Sequence, residues 1–353
     1  MACASSKLPP DVTLIKGDAA GIRSQSDGAS AGPTGAAWVD SNGWRIRLAR
    51  LQDAGKMVWV ETEAPKANEV VPVERYLVGV ADAAAYGGKW VIPLDPAFRK
   101  GVASKSAEAV RDWQRLSAAV RFFAAHADWS SLGARSMLGV LSDFHGDNEF
   151  LSTEILNLAA RQQIAYKLLD KAKFNGIQTG LRAVVYADGQ APSAPVREAL
   201  NRFVEGGGLL ITGPAWGGVP GEALPDSPTV RFALYASGKG RIALGNDFSD
   251  PYLVAQDAQV LLSHRYDPIR IWNPGTLGTY VTGDERRTVV HLVNYSGRTG
   301  REALSLKVMG NFTKAVLHGL EAKAPVDVKM ARQKDGVELY LPAVPVYAAV
   351  ECS

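Results

Sequence analysis

Cysteine is almost missing from this 353-residue chain: Cys3 and Cys352, near opposite ends, are the only two. No C-x-x-C pair or Cys/His ligand spacing goes with them, which excludes a zinc motif and a thioredoxin-like redox pair and leaves a terminus-to-terminus disulfide as the one pairing the count allows. No apolar run reaches the 18 residues that would read as a membrane-spanning helix. A basic stripe is also lacking. The 39 Lys and Arg are scattered among 36 Asp and Glu for a net charge of +3, so nucleic acid is not an expected partner. Phosphate loops of the G-x-x-x-x-G-K-[ST] and G-x-G-x-x-G types are absent, as is a G-x-S-x-G nucleophile elbow. Histidines 126, 145, 264, 291 and 318 are dispersed and give no ligand pair. Neither a cofactor nor a metal is expected.

What is present is ordinary for a globular protein, with 46% hydrophobic and 21% charged residues, in a length that suits two or three domains. The start, MACASSKLPPD, reads in two ways. Ala2-Cys3 before small polar residues looks like the remnant of a bacterial lipoprotein signal, with a lipid anchor at Cys3 and a periplasmic or extracellular location; the alternative is a plain cytoplasmic N-terminus.

Along residues 1–130, apolar strands over 12–15, 57–63 and 90–95 alternate with helical patterns over 44–51, 73–86 and 107–125, the signature of parallel βα units. On the last helix Val110, Trp113, Leu116, Val120 and Phe123 are expected on one side. Gly87-Gly88 and Gly206-Gly207-Gly208 read as helix stops. A new unit, 131–268, opens with the strand 137–141, the loop 142–149 and a helix over 151–160. Strands over 165–169, 181–186 and 209–212, with a helix over 195–204, continue it as a flavodoxin-like parallel sheet. From 269 to 353, short β runs separated by Gly, Asp and Asn turns predict a C-terminal antiparallel β-sandwich. The fold class expected is therefore α/β plus all-β: a partial (β/α) barrel-like front, a flavodoxin-like domain and a sandwich.

Three stretches, LGVLSDFHGDNEFLSTEILNLAARQQIAYKLL, ALNRFVEGGGLLITG and TVVHLVNYSG, resemble the non-catalytic tail of bacterial glycoside hydrolases of the family 42 β-galactosidase type. That resemblance covers about residues 136–353. It implies an amidotransferase-like domain used for trimerisation, then a small β domain, and hence a homo-oligomer. The front departs from the family's complete (β/α)8 barrel, so no family catalytic residue is carried over. Amidotransferase chemistry needs a cysteine at a strand-to-helix elbow, and neither cysteine stands at one.

Acids at predicted strand ends are the strongest functional pattern: Asp18, Glu61 with Glu63, Asp95 and Asp143. Glycoside hydrolysis needs two carboxyl groups flanking the scissile bond. Glu61 and Asp95 are the expected pair, with Glu63 and Asp143 as further candidates; helix capping and pairing with Arg are the alternative roles. Trp38, Trp44 and Trp59 are expected sugar platforms, with Trp90 in the same region, and core packing is their alternative. Asp18, His145 and Glu149 are expected to line the substrate site. Asp143, His145, Asp147 and Glu149 do not follow the spacing of a calcium loop and suit a capping network for the helix that follows, with Asn148 or Ser152 as the cap. The expected activity is hydrolysis of a β-linked glycoside. The alternative is a non-catalytic carbohydrate-binding or assembly protein.

Overall fold

The structure is a computed structural model that describes residues 8–22, 24–25, 28–29, 39–178, 180–296 and 303–353. Its front is a three-stranded parallel sheet in the order Val12–Lys16, Met57–Glu61, Gly88–Val91. Helix α1 (Gly43–Gln52) links the first two strands and α2 (Val73–Ala85) the second and third. In register, Thr13, Val58 and Gly88 form one row and Ile15, Val60 and Trp90 the next, both on the face that meets the helices. There Leu77 and Val78 of α2 are fully buried, each contributing roughly 1.5–3 kcal/mol by burial. A glycine is required where α2 crosses the sheet, since a Cβ on Gly79 would stand 2.6 Å from the Trp90 ring. Helix α2 ends as the glycine pair predicts, with Gly87 at φ +83°.

Two helices complete the front: α3 (Pro96–Ala103), not anticipated from the sequence, and α4 (Ala107–Ala125). The buried side of α4 is Ala109, Leu116 and Ala119 with Phe122 and Phe123 packed beside them, while Trp113 and Val120 are exposed. The expected grouping of Trp113 and Val120 with Leu116 is thus corrected. Only a narrow stripe of the helix is covered, where it packs on α2 and the sandwich.

The middle unit is a seven-stranded sheet in the order Lys167–Asp170, Leu138–Ser142, Ala183–Tyr186, Leu209–Thr212, Gly240–Gly245, Phe232–Ser237, Glu222–Ala223. The first five are parallel, and the last two strands join antiparallel. Helices α5 (Glu149–Arg161) and, at the far end of the chain segment, α7 (Pro251–Leu262) cover one face; α6 (Ala194–Glu205) covers the other. Strands buried on both faces need apolar residues at every position, and Leu138–Ser142, Ala183–Tyr186 and Leu209–Thr212 are buried throughout.

The C-terminal part is an antiparallel sandwich of a four-stranded and a six-stranded sheet. Its six-stranded sheet takes an edge strand, Gly133–Ala134, from the link between the front and middle units. Strand Thr288–Asn294 is buried at every position because Val290 and Leu292 face the sandwich interior while Val289 and Val293 face the front helices. The front helices and the sandwich therefore share one core. Arg47 of α1 ties in the middle unit: its guanidinium stacks on Tyr166 at 4.1 Å and Tyr280 at 4.7 Å and donates to the Tyr166 carbonyl.

Candidate functional site

Parallel strands end on one rim, and the front rim carries three of the expected acids. Glu61 closes its strand and is exposed, as is Glu63; neither side chain has a hydrogen-bond or ion-pair partner among the described residues. The Gly17 amide donates to the Glu61 carbonyl at 2.9 Å, which sets Asp18 beside Glu61 on the neighbouring strand end. Asp18 pairs with Arg45 at 3.3 Å. Trp59 shares its face with Glu61, as strand alternation requires, and is half-buried. On that same face Leu14, Met57 and Val91 are 37, 39 and 41% exposed. Trp90 points the other way, into the core, and its indole donates to Thr62 Oγ1 at 3.0 Å. Trp38 lies outside the described residues.

Asp95 departs from the expected role. It is 1% exposed and caps α3: its Oδ1 accepts from the Phe98 amide at 2.9 Å, and its Oδ2 accepts from the Tyr76 hydroxyl at 2.9 Å and the Val71 amide at 3.4 Å. A carboxylate with both oxygens spent on capping is poorly placed for acid, base or nucleophile work. The signal was in the sequence, for Asp95-Pro96 is a cap followed by the residue favoured at the first helical position.

Asp143 belongs to a different sheet, so the front rim and the loop 142–149 do not form the shared wall that one continuous sheet would have given. It lies where the middle sheet's strand order reverses, between the ends of Leu138–Ser142 and Ala183–Tyr186. There Lys171 bridges Asp143 at 3.3 Å and the buried Asp188; Ser142 Oγ donates to Asp188 at 2.5 Å. Burial pushes the Asp143 carboxyl up, but the Asn148 amide at 3.1 Å and the Lys171 ammonium outweigh it and hold it below the usual carboxylate range. Asn148 occupies the N-cap position of α5, yet its side chain serves Asp143 and the Gly189 amide instead of the helix. His145 and Glu149 are exposed. In place of the expected capping network, Asp143, Lys171 and Asp188 form an ion-pair network at this switch point. No group of three His, Cys, Asp or Glu side chains among the described residues is arranged to hold a metal.

A cleft that the sequence did not announce lies where the three parts meet. Val39 and Ser41 just before α1, Trp44 in its first turn, Asn157 and Arg161 from α5, and Thr276 from the sandwich line a small cleft of about 40 Å³ that opens to solvent. Its floor is a buried polar knot. Asp82, fully buried, accepts from Tyr295 Oη at 2.7 Å, Ser41 Oγ at 2.9 Å, and the Asn42 amide and side chain at 3.0 and 2.9 Å. Burial pushes the Asp82 carboxyl above its usual range, while those donors favour its charged form. Asn42 also clasps the Asp18 backbone through two 2.9 Å bonds, linking the cleft to the front rim. Apart from Trp44, named as a platform from the sequence, these residues lie far apart in the chain and follow no motif, so periodicity and spacing carried no signal for them.

Parallel βα units, a doubly wound middle sheet and an antiparallel sandwich make a mixed α/β-plus-β fold that resembles parts of certain glycoside hydrolases. Solved structures share this fold. An α-L-fucosidase isoenzyme 2 from Paenibacillus thiaminolyticus superposes with a TM-score of 0.61 at 11% identity, over 88% of this chain and 62% of that one. A β-galactosidase from Bacillus circulans sp. alkalophilus gives 0.59 at 10% identity, over 88% and 58%. A GH42 β-galactosidase from G. stearothermophilus gives 0.55 at 11%, over 88% and 56%. At such identities the likeness shows the fold, and the chain spans 56 to 62% of the length of these three proteins. No protein-family description matches the chain, and no curated protein does.

Proposed function

We propose that the protein recognises carbohydrate on a glycoside-hydrolase scaffold and does not hydrolyse it with the Glu61–Asp95 pair. The observation that carries this reading is the fate of Asp95: one expected carboxylate stands open on the rim while the other is buried as a helix cap. Two-carboxylate hydrolysis needs both free to face the scissile bond. A broad panel of chromogenic glycosides, run beside calorimetry with oligosaccharides, tests it. Binding heat without turnover is expected, and turnover that Asp95→Asn abolishes while the protein stays folded would sink it.

One observation favours a second reading, hydrolysis of a β-linked glycoside with a different partner for Glu61. Asp18 and Glu61 end adjacent parallel strands, and Glu63 follows two residues on. On this reading any glycoside turnover falls at least about 100-fold in Glu61→Gln, the scale of losing a general acid or base. A homo-oligomeric state goes with the family resemblance, and light scattering at a single monomer mass removes it.

A further inference from the structure

The geometry points to the outer face of the four-stranded sandwich sheet as the place where an extended, neutral β-linked saccharide chain lies, with Trp272 and Tyr340 as its two platforms. This inference rests on the carbohydrate reading and gives it an address.

The sheet runs in the order Ile269–Trp272, Leu304–Met309, Gly336–Leu341, Met330–Gln333. Its residues alternate between two faces. Leu306, Val308, Leu339 and Leu341 fill the sandwich core, so strand alternation sends Trp272, Ser305 and Tyr340 to the outer side. In register, Trp272 stands opposite Ser305, and Ser305 stands opposite Tyr340. The three form one row across the strands. Trp272 is 46% and Tyr340 56% exposed, although rings of this size are well buried on average. Two strand spacings place their backbones about 9.6 Å apart, roughly the span of two linked pyranose rings. The short serine between them leaves the row level.

Saccharides present apolar C–H faces that settle on aromatic rings, and a rim of hydroxyls that each donate and accept. This face supplies partners for both. Beside the aromatic row, two residues along the strands, Arg270, Lys307 and Glu338 form a polar row. Glu338 accepts from Ser305 Oγ at 2.8 Å and from Gln333 Nε2 at 3.2 Å, Lys307 pairs with Asp335, and Arg270 lies 3.9 Å from Asp267. Groups oriented by their own partners lose little freedom when a ligand arrives. With each cation set against an acid, the row does not select a charged polymer. Among the described residues neither the Trp272 indole N–H nor the Tyr340 hydroxyl has a hydrogen-bond partner, so each is free to bond a sugar hydroxyl. A chain laid across the strands thus rests on both rings with its hydroxyl edge over the polar row. Only a ligand long enough to reach both platforms uses the whole face.

Calorimetry with cellobiose, cellotetraose and cellohexaose, and with the matching xylo- and manno-oligosaccharides, tests the assignment on the wild type, Trp272→Ala, Tyr340→Ala and the double variant. Wild type is expected to bind at least one series, the hexasaccharide at least about tenfold tighter than the disaccharide. Each single variant should weaken the hexasaccharide about tenfold, the scale of one lost aromatic contact. Thermal midpoints should hold, since both side chains are exposed. Undiminished hexasaccharide binding in the double variant, or no gain with chain length in the wild type, overturns the address and leaves the carbohydrate reading standing. A wild-type dimer in light scattering that the double variant dissolves also overturns it, because the face then meets a second copy. No heat from the wild type with any series overturns both.

Discussion

The two parallel sheets of this protein are built by the same βα logic and finish in different states. In the middle sheet, helices lie on both faces and the central strands are buried residue after residue. Among the described residues, helices cover one face of the front sheet, and the strands alternate, as in Met57–Glu61, where Val58 and Val60 are buried and Met57 and Glu61 exposed. Parallel sheets are as a rule covered on both sides. The middle sheet is therefore a covered scaffold, with the Lys171, Asp143 and Asp188 ion-pair network at its switch point. The front sheet keeps open acids on its rim, and its first helix opens into the three-way cleft.

The sharpest way to break this contrast is to remove matched side chains from the two sheets. Leu210, fully buried between the middle sheet and α6, should cost about 2–5 kcal/mol as Leu210→Ala. Leu14→Ala, on the open front face, should cost less than about 1 kcal/mol. Urea unfolding of the two variants measures the difference, and equal losses would mean that the front face is covered in solution.

A second test uses the sandwich sheet that the front helices do cover. His291 is buried there, its Nδ1 2.8 Å from the Tyr347 hydroxyl, and burial pulls its pKa from 6.5 down to about 3. The folded state thus holds the neutral imidazole. Its contribution is complete above the unfolded pKa of 6.5 and is lost as the pH falls from there toward 3. His318, lowered by burial and by the nearby His126, acts in the same direction. The single site His291 should remove about 2 kcal/mol between pH 7 and pH 5. Unfolding free energies across that range should show a shallower slope in His291→Phe than in wild type.

The smallest expected effect concerns the covered face of the front sheet. Gly79→Ala improves helix propensity by about 1 kcal/mol yet drives a methyl into Trp90, at a packing cost of about 1–3 kcal/mol. A net loss of about 1 kcal/mol in chemical denaturation is expected. A net gain would show that Trp90 yields easily and that even the covered face is loosely packed.

Much of the architecture was legible along the chain. The strand over 12–15, the strand expected over 57–63 and found at Met57–Glu61, the helix that begins at Val73 and the glycine stops at Gly87 and Gly207 follow from apolar period and left-handed backbone preference, both local properties. The sites were less so. Asp95 looked like Glu61, an acid after a strand, and differed only in what lay around it: Tyr76 and the Val71 amide reached one and no described group reached the other. The stripe on α4 was misjudged for a related reason, since Trp113 and Leu116 satisfy the same spacing and only packing decides which one is covered.

For most elements, though not for α3 or the antiparallel edge of the middle sheet, type and direction were settled by residue pattern, because backbone preference and amphipathic period act over a few neighbours. Which carboxylates stay free, which sheet face stays open and where Ser41, Trp44, Asn157 and Thr276 converge were settled only by tertiary packing. Desolvation and hydrogen-bond competition depend on groups brought together from distant parts of the chain, and no local window contains both partners.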